Sequence, residues 1–248
     1  MTVFFIGAGP GDPELITVKG QRLIRSCPVI IYAGALVPSA VLEGHSAVQV
    51  SNSAQLHLEQ IIALMKNAHE QGFDVARVHS GDPSLYGAIG EQIRHLRELD
   101  IPFEIIPGVT ATAACAALLG AELTLPDISQ TVILTRFADK TSMPPGEELA
   151  SLAQHRATMA IHLGVNNLHR IVAELVPHYG ADCPIAVVHR ASWPDQDWVV
   201  GTLTDIEEKV LEKGFRRTAL ILVGHVLADD SFGESSLYRA GHAHLFRP

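Results

Sequence analysis

The chain has 248 residues, a formal net charge of −9, 47% hydrophobic and 18% charged residues. That balance excludes disordered and fibrous classes, and the length allows one large domain or two of ordinary size, since domains run ~100 to 200 residues. The acidic excess builds no broad positive field, so neither nucleic acid nor a membrane is expected as a partner, and any basic lining must be local.

The first residues, Met1-Thr2-Val3-Phe4-Phe5, carry no basic segment and lead straight into a turn, which is not the pattern of a signal peptide. A long stretch without charge, between Glu104 and Glu122, is made largely of Ala, Thr and Gly, carries Pro107-Gly108 near its start and is too weakly apolar to span a bilayer. A cytoplasmic location is expected. Cys27, Cys115 and Cys183 lie far apart without ligand spacing, and the 13 His form no His-Glu-x-x-His, so three structural thiols and no metal are expected. His242 and His244 fall in a tail read as irregular after Leu227.

Taken in chain order, short β-branched or aromatic runs alternate with stretches of helical period, the mark of an α/β fold. Strands are predicted over residues 2–6, 29–32, 47–50, 75–79 and 103–106, with helices between them. The clearest helices are 56–71, with Leu58, Ile61, Ile62 and Met65 on one stripe, and 88–99, stopped before Pro102. An Ala-rich helix follows, and Leu125-Pro126-Asp127 then breaks the pattern, so a junction is placed between an N-terminal α/β domain, residues 1–122, and a C-terminal one, 123–248. In the latter, strands are predicted over 131–135, 158–163, 185–189, 198–200 and 219–223, and helices over 147–154, 167–176 and 205–213. Residues 138–147 have the composition of a surface loop.

Three turns carry the chemistry. Gly7-Ala8-Gly9-Pro10-Gly11-Asp12-Pro13 follows the first strand but fails the dinucleotide fingerprint: its third position is Asp12, and no acidic residue stands ~20 residues on to hold a ribose. The Gly-Asp-Pro unit recurs at Gly81-Asp82-Pro83, again after a strand. Proline at a first helical position makes each Asp a natural N-cap. For Asp82 a second reading stands beside the cap, because Ser80-Gly81-Asp82 leaves the carboxyl end of a central strand, where open α/β sheets bind ligands. A carboxylate there disfavours phosphate and suits hydroxyls and positive charge. The third turn, Pro107-Gly108-Val109-Thr110-Ala111, opens a helix of small residues that Thr110 can cap.

In this order and spacing, the stretches Gly7–Thr17, Gly81–Gly87 and Pro107–Ala111 resemble the tetrapyrrole methylase family, whose members transfer methyl groups from S-adenosylmethionine to precorrin and siroheme precursors. The similarity continues to about Phe246. Within the family, Tyr32-Ala33-Gly34-Ala35-Leu36-Val37 and the ending Leu237-Tyr238 … His244-Leu245-Phe246-Arg247 are similar to the branch that methylates C11 of the ring. The resemblance implies two α/β domains with S-adenosylmethionine in the trough between them, and a homodimer. It implies cofactor contacts at Pro10, Ser80, Gly81, Asp82, Leu85, Thr110 and Ala111, and at Leu163, Ala191 and Ala219. Here His162-Leu163 stands where the family often has Tyr-Met.

Methyl transfer from a sulfonium is an in-line displacement that needs alignment and exclusion of water, with no metal or catalytic triad. The tetrapyrrole is rich in carboxylates, so strand-end arginines are candidate substrate contacts: Arg136 and Arg190 foremost, with Arg216 and Arg217 equally readable as solvated surface. Arg94 and Arg97, beside Glu91 and Glu98, read as a solvated helix face. Rival readings are the same chemistry on a cobalt-loaded substrate or at another carbon, and, in a different class, a noncatalytic module that senses a nucleoside-like ligand.

Overall fold

In the computed structural model, residues 1–139, 141–227, 233 and 235 are described; the predicted motif at 237–247 lies outside them. The chain forms two compact units: Met1–Ala114 with Ala191–Asp195, and Cys115–Arg190 with Gln196–Pro248. The first boundary falls inside a helix, ahead of the expected junction at 122/123, and a short segment of the later sequence belongs with the first unit.

The first unit is a parallel five-stranded sheet of β1 (Val3–Gly7), β2 (Val29–Tyr32), β3 (Gln49–Asn52), β4 (Val75–His79) and β5 (Phe103–Ile106), in the order β3-β2-β4-β1-β5. The central strands β1 and β4 are buried because helices cover both faces, although β4 carries Arg77 and His79 on one of them. On one side α1 (Val18–Ser26) places Ile24 against Ile6, Ile30 and Val78. On the other, α2 (Leu58–Glu70) and α3 (Ile89–Glu98) bring Ile61, Met65, Ile89 and Leu96 onto Val3, Phe5, Ile31 and Val75. The strand expected at 47–50 begins two residues later, since its pairing with β2 starts at Val29↔Gln49. Val48, just before the strand, and Val50, within it, are exposed at this sheet edge, so β-branching there marks edge pairing and not core.

The strand order sets where a ligand can lie. From β1 the chain crosses through α1 to β2, beyond β4; from β4 it crosses through α3 to β5, beyond β1. Neighbouring strands thus send their carboxyl-terminal connections to opposite sides, which opens a crevice at that end of the sheet. Helix α4 (Ala111–Leu119) follows β5.

The second unit has a mixed sheet, β6-β7-β10-β8-β9, from β6 (Val132–Arg136), β7 (Thr158–His162), β8 (Pro184–His189), β9 (Asp197–Thr202) and β10 (Ala219–Val223). Only β6 and β7 are parallel; β10 is antiparallel to β7 and β8, and β8 to β9. Helices α5 (Leu149–Ala153), α6 (Leu168–Tyr179) and α7 (Ile206–Lys213) cover one face, where Leu149, Ile171, Leu175 and Ile206 meet Met159, Ile161, Ile185 and Ile221. Helix α6 runs past its expected end at 176 through Pro177, and Tyr179 in its last turn donates its hydroxyl to the Ala157 carbonyl at 2.5 Å.

Candidate functional site

The crevice in the first unit is assembled from backbone. Beyond its last pair, β1 stays joined to β4: Ala8 N–H donates to His79 O at 2.8 Å, Gly81 N–H to Gly9 O at 2.7 Å and Gly9 N–H to Gly81 O at 3.3 Å. The turn after β5 packs into the same place. A Cβ on Gly7 would stand 2.6 Å from Gly108 Cα and from Gly81 O, and one on Gly108 would stand 2.1 Å from Gly81 O. Three strand ends therefore meet with no room for a side chain. Gly81 itself has φ +60, with nothing nearer to an added Cβ than Val109 O at 3.9 Å.

Asp82 ties this junction together. Oδ1 accepts from Ser84 N at 2.8 Å, but this bond caps a turn over residues 83–86 and not the expected helix start, since α3 begins only at Ile89, and Oδ2 accepts from Gly108 N at 2.9 Å. Burial pulls the carboxyl pKa up, but the bonds from Gly108 and Ser84 outweigh it and leave the group below its ordinary 3.8, ionised at neutral pH. Asp82 is thus a cap and at the same time a bridge between two turns, a role that neither sequence reading contained. Asp12 caps its own turn, accepting from Glu14 N at 2.8 Å. Thr110 Oγ1 accepts from Ala113 N at 3.2 Å, the cap expected for α4.

Two groups of this site were not foreseen. Trp193 and Ser192, in the 191–195 segment that belongs to the first unit, hold the first turn: the Trp193 indole N–H donates to Pro10 O at 2.8 Å, and Asp12 N–H donates to Ser192 Oγ at 3.0 Å. The indole lies on Gly11, where an added Cβ would come within 2.2 Å of Trp193 Cδ1. Ser192 takes φ +68, a left-handed conformation uncommon outside glycine. No short-range pattern announces a contact across 183 positions.

The other group lies under the sheet, on the side covered by α2 and α3. Arg77 is 4% exposed; its Nε donates to Gln92 Oε1 at 3.0 Å, and Gln92 in turn donates to Ala88 O at 3.0 Å. Ala88, with φ +49, is the residue before α3, so a buried cation braces the end of the turn that starts at Asp82. Desolvation lowers the Arg77 pKa to about 10. His79, also 4% exposed, is pushed down to about 3 by burial and then by Arg77, and its buried Nε2 has no hydrogen-bond partner. It is neutral at physiological pH and packs on Phe5.

Of the remaining predicted residues, Pro10, Ser80, Gly81, Leu85 and Ala111 sit on or beside these three turns, all partly exposed. Ala191 is buried and groups with the first unit. In the second unit, Leu163 follows β7 with φ +56 and is 71% exposed, and Ala219 opens β10. Arg136, at the end of β6, donates to the carbonyls of Phe137, Thr141 and Ser142, so its guanidinium already organises the following loop. Arg190, at the end of β8, has φ +50. Arg216 and Arg217 are exposed. No His/Cys/Asp/Glu group among the described residues could hold a metal ion, and no described helix is long and apolar enough to cross a membrane.

A parallel sheet whose strand-end turns meet at an ionised carboxylate, followed in the chain by a mixed-sheet unit, defines a two-unit α/β protein with its candidate site at those strand ends. The family model for tetrapyrrole (corrin/porphyrin) methylases matches residues 2–207, and the chain belongs to that family. It is 74% identical over 248 residues, the whole of this chain and 99% of the relative, to the precorrin-4 C(11)-methyltransferase of Pseudomonas aeruginosa. It resembles the crystal structure of a cobalt precorrin-4 methyltransferase with a TM-score of 0.89 and 40% identity, covering 92% of this chain and 96% of that one. The uroporphyrin-III C-methyltransferase of Thermus thermophilus, solved with S-adenosylhomocysteine, is 28% identical with a TM-score of 0.77, over 92% of this chain and 94% of that one.

Proposed function

We propose that this protein methylates C11 of precorrin-4 to give precorrin-5 in cobalamin synthesis, with S-adenosylmethionine as donor. The observation that carries the reading is the 74% identity along the whole chain to a precorrin-4 C(11)-methyltransferase, joined to a crevice whose chemistry suits this donor. The donor supplies an electrophilic methyl group on a sulfonium, together with ribose hydroxyls and an adenine.

The chain's own part is to bind, align and keep dry. The glycines at 7 and 108 let the turns pack backbone on backbone, Gly81 with open space beside it lets a ligand approach closely, and the ionised Asp82 favours hydroxyls and positive charge over phosphate. Pro10, Ser80, Gly81, Asp82, Leu85, Thr110 and Ala111 are the proposed contacts there, with Leu163, Ala191 and Ala219 completing the set. The exposed, left-handed Leu163 supports its place, since a large apolar side chain held outward in an unfavourable conformation implies a partner. Arg136 and Arg190 are the proposed grips for substrate carboxylates. We further propose a homodimer, a cytoplasmic location and a reaction without metal.

The test is methyl transfer from labelled S-adenosylmethionine to precorrin-4, with the product assigned by mass and NMR. A single methyl at C11 is expected; methylation elsewhere, or turnover only with the cobalt-loaded ring, would replace this reading with its nearer rival. S-adenosylhomocysteine binding without any methyl transfer would favour a sensing module.

A further inference from the structure

We infer that Ser192 and Trp193 are positioning residues for the methyl donor: the 191–195 segment fixes the shape of the Gly9–Asp12 turn against which the donor binds. The inference rests on the reading that the strand ends of the first unit hold S-adenosylmethionine.

Two bonds and one packing contact carry it. Trp193 Nε1 donates to Pro10 O and Ser192 Oγ accepts from Asp12 N, so both ends of the Pro10-Gly11-Asp12 peptide run are held from outside the turn. Between them the indole lies against Gly11, and any side chain at Gly11 would overlap it. The same turn faces its other neighbour through the Gly9–Gly81 bridge. A segment pinned on one side to Gly81 and on the other to Ser192 and Trp193 has little freedom left, and a turn preorganised in this way spends less binding energy on ordering itself. The left-handed φ of Ser192 fits this role, because that backbone is retained where surrounding contacts over-determine it. Both residues act through Pro10 and Asp12 and are not assigned any contact with the reacting atoms.

The experiment compares full-length wild type with Trp193→Phe, Ser192→Ala and the double variant. Affinity for S-adenosylhomocysteine is measured by calorimetric titration, and steady-state kinetics are measured with donor and tetrapyrrole varied in turn. Each single variant is expected to weaken binding about five- to tenfold, the effect of one hydrogen bond. The donor KM should rise while the tetrapyrrole KM and kcat at saturating donor stay within about twofold; a merely structural role would not produce that split. A second readout leaves Ser192 and Trp193 intact. With Trp198→Phe as background, Trp193 becomes the single tryptophan, and its emission should shift on titration with S-adenosylhomocysteine. Wild-type affinity in the double variant, or an unmoved Trp193 emission at saturating ligand, overturns the inference. If wild type itself fails to bind S-adenosylhomocysteine, the donor reading falls first and the inference with it.

Discussion

Replacing Asp82 by Asn separates a local turn cap from a bridge. As a turn cap alone, Asn would serve as well as Asp, since both side chains bond the backbone two residues on. The structure requires more, because Oδ1 accepts from Ser84 N and Oδ2 from Gly108 N. An amide has one oxygen. If it keeps Ser84, its NH2 group faces the Gly108 N–H, one bond is lost and two donors are left opposed. A hydrogen bond to a charged acceptor is worth ~1.5 to 3 kcal/mol, and partial exposure of Asp82 brings the expected loss to about 1 to 2 kcal/mol. For a chain of this size that lowers the melting temperature by roughly 2 to 8 °C. The pH dependence gives a second check. The folded-state pKa of Asp82 lies below its ordinary 3.8, so its stabilisation is present above that value and is lost as pH falls through the lower, folded-state one. The variant should lack this acid-side loss. The assay is a thermal melt of unliganded protein at pH 7 and in steps towards pH 3, beside titration with S-adenosylhomocysteine at pH 7. A variant that melts with wild type at pH 7 would refute the bridging role and return Asp82 to a simple cap.

Gly108→Ala should destabilise by more than ~3 kcal/mol, because backbone stands within 2.1 Å of its Cβ, whereas Gly81→Ala, with φ +60 but open space, should cost only ~1 to 2 kcal/mol; denaturant melts compare them. His79, with a folded-state pKa of about 3 against an ordinary 6.5, leaves stability unaffected above pH 6.5 and erodes it as pH falls from there towards 3, since the unfolded chain takes up a proton that the folded one refuses. His79→Leu should therefore flatten the fall in melting temperature between pH 7 and 5, with the residual slope owed in part to His162, which burial lowers to about 4. Arg136→Ala and Arg190→Ala should raise the tetrapyrrole KM and leave donor affinity nearly unchanged; unaltered kinetics in both would reduce Arg136 to a brace for residues 141–142.

The strands over 29–32, 75–79, 103–106 and 219–223 fall where the sequence placed them, because each is a short run rich in β-branched residues with a turn-forming Pro, Asp, Ser or Gly on at least one side. The junction of the three glycine turns was legible for a similar reason: Gly-Asp-Pro and Pro-Gly demand particular backbone shapes. What escaped is nonlocal. Pairing direction in the second sheet depends on which strands meet, and the β8–β9 connection reads like any other loop. Arg77 and His79 sit in a run whose burial the pattern predicts, but periodicity does not say what a buried cation bonds to; Gln92, one turn into α3, answers that only in three dimensions. Helix α6 continues through Pro177 despite the lost bond to the Ala173 carbonyl, and Tyr179 beyond it gains a buried bond to Ala157 that the local pattern does not announce.

The bond between Trp193 and Pro10 spans 183 positions, and this sets an order of events during synthesis. At ~5 to 20 residues per second, the ribosome delivers Trp193 about 10 to 40 seconds after Pro10. All five strands of the first sheet are complete at Ile106, so that sheet has time to pair while its first turn is still held only from the Gly81 side. The nascent first unit is therefore a folded sheet with a loose rim, and the turn acquires its second anchor only when most of the other unit has been made.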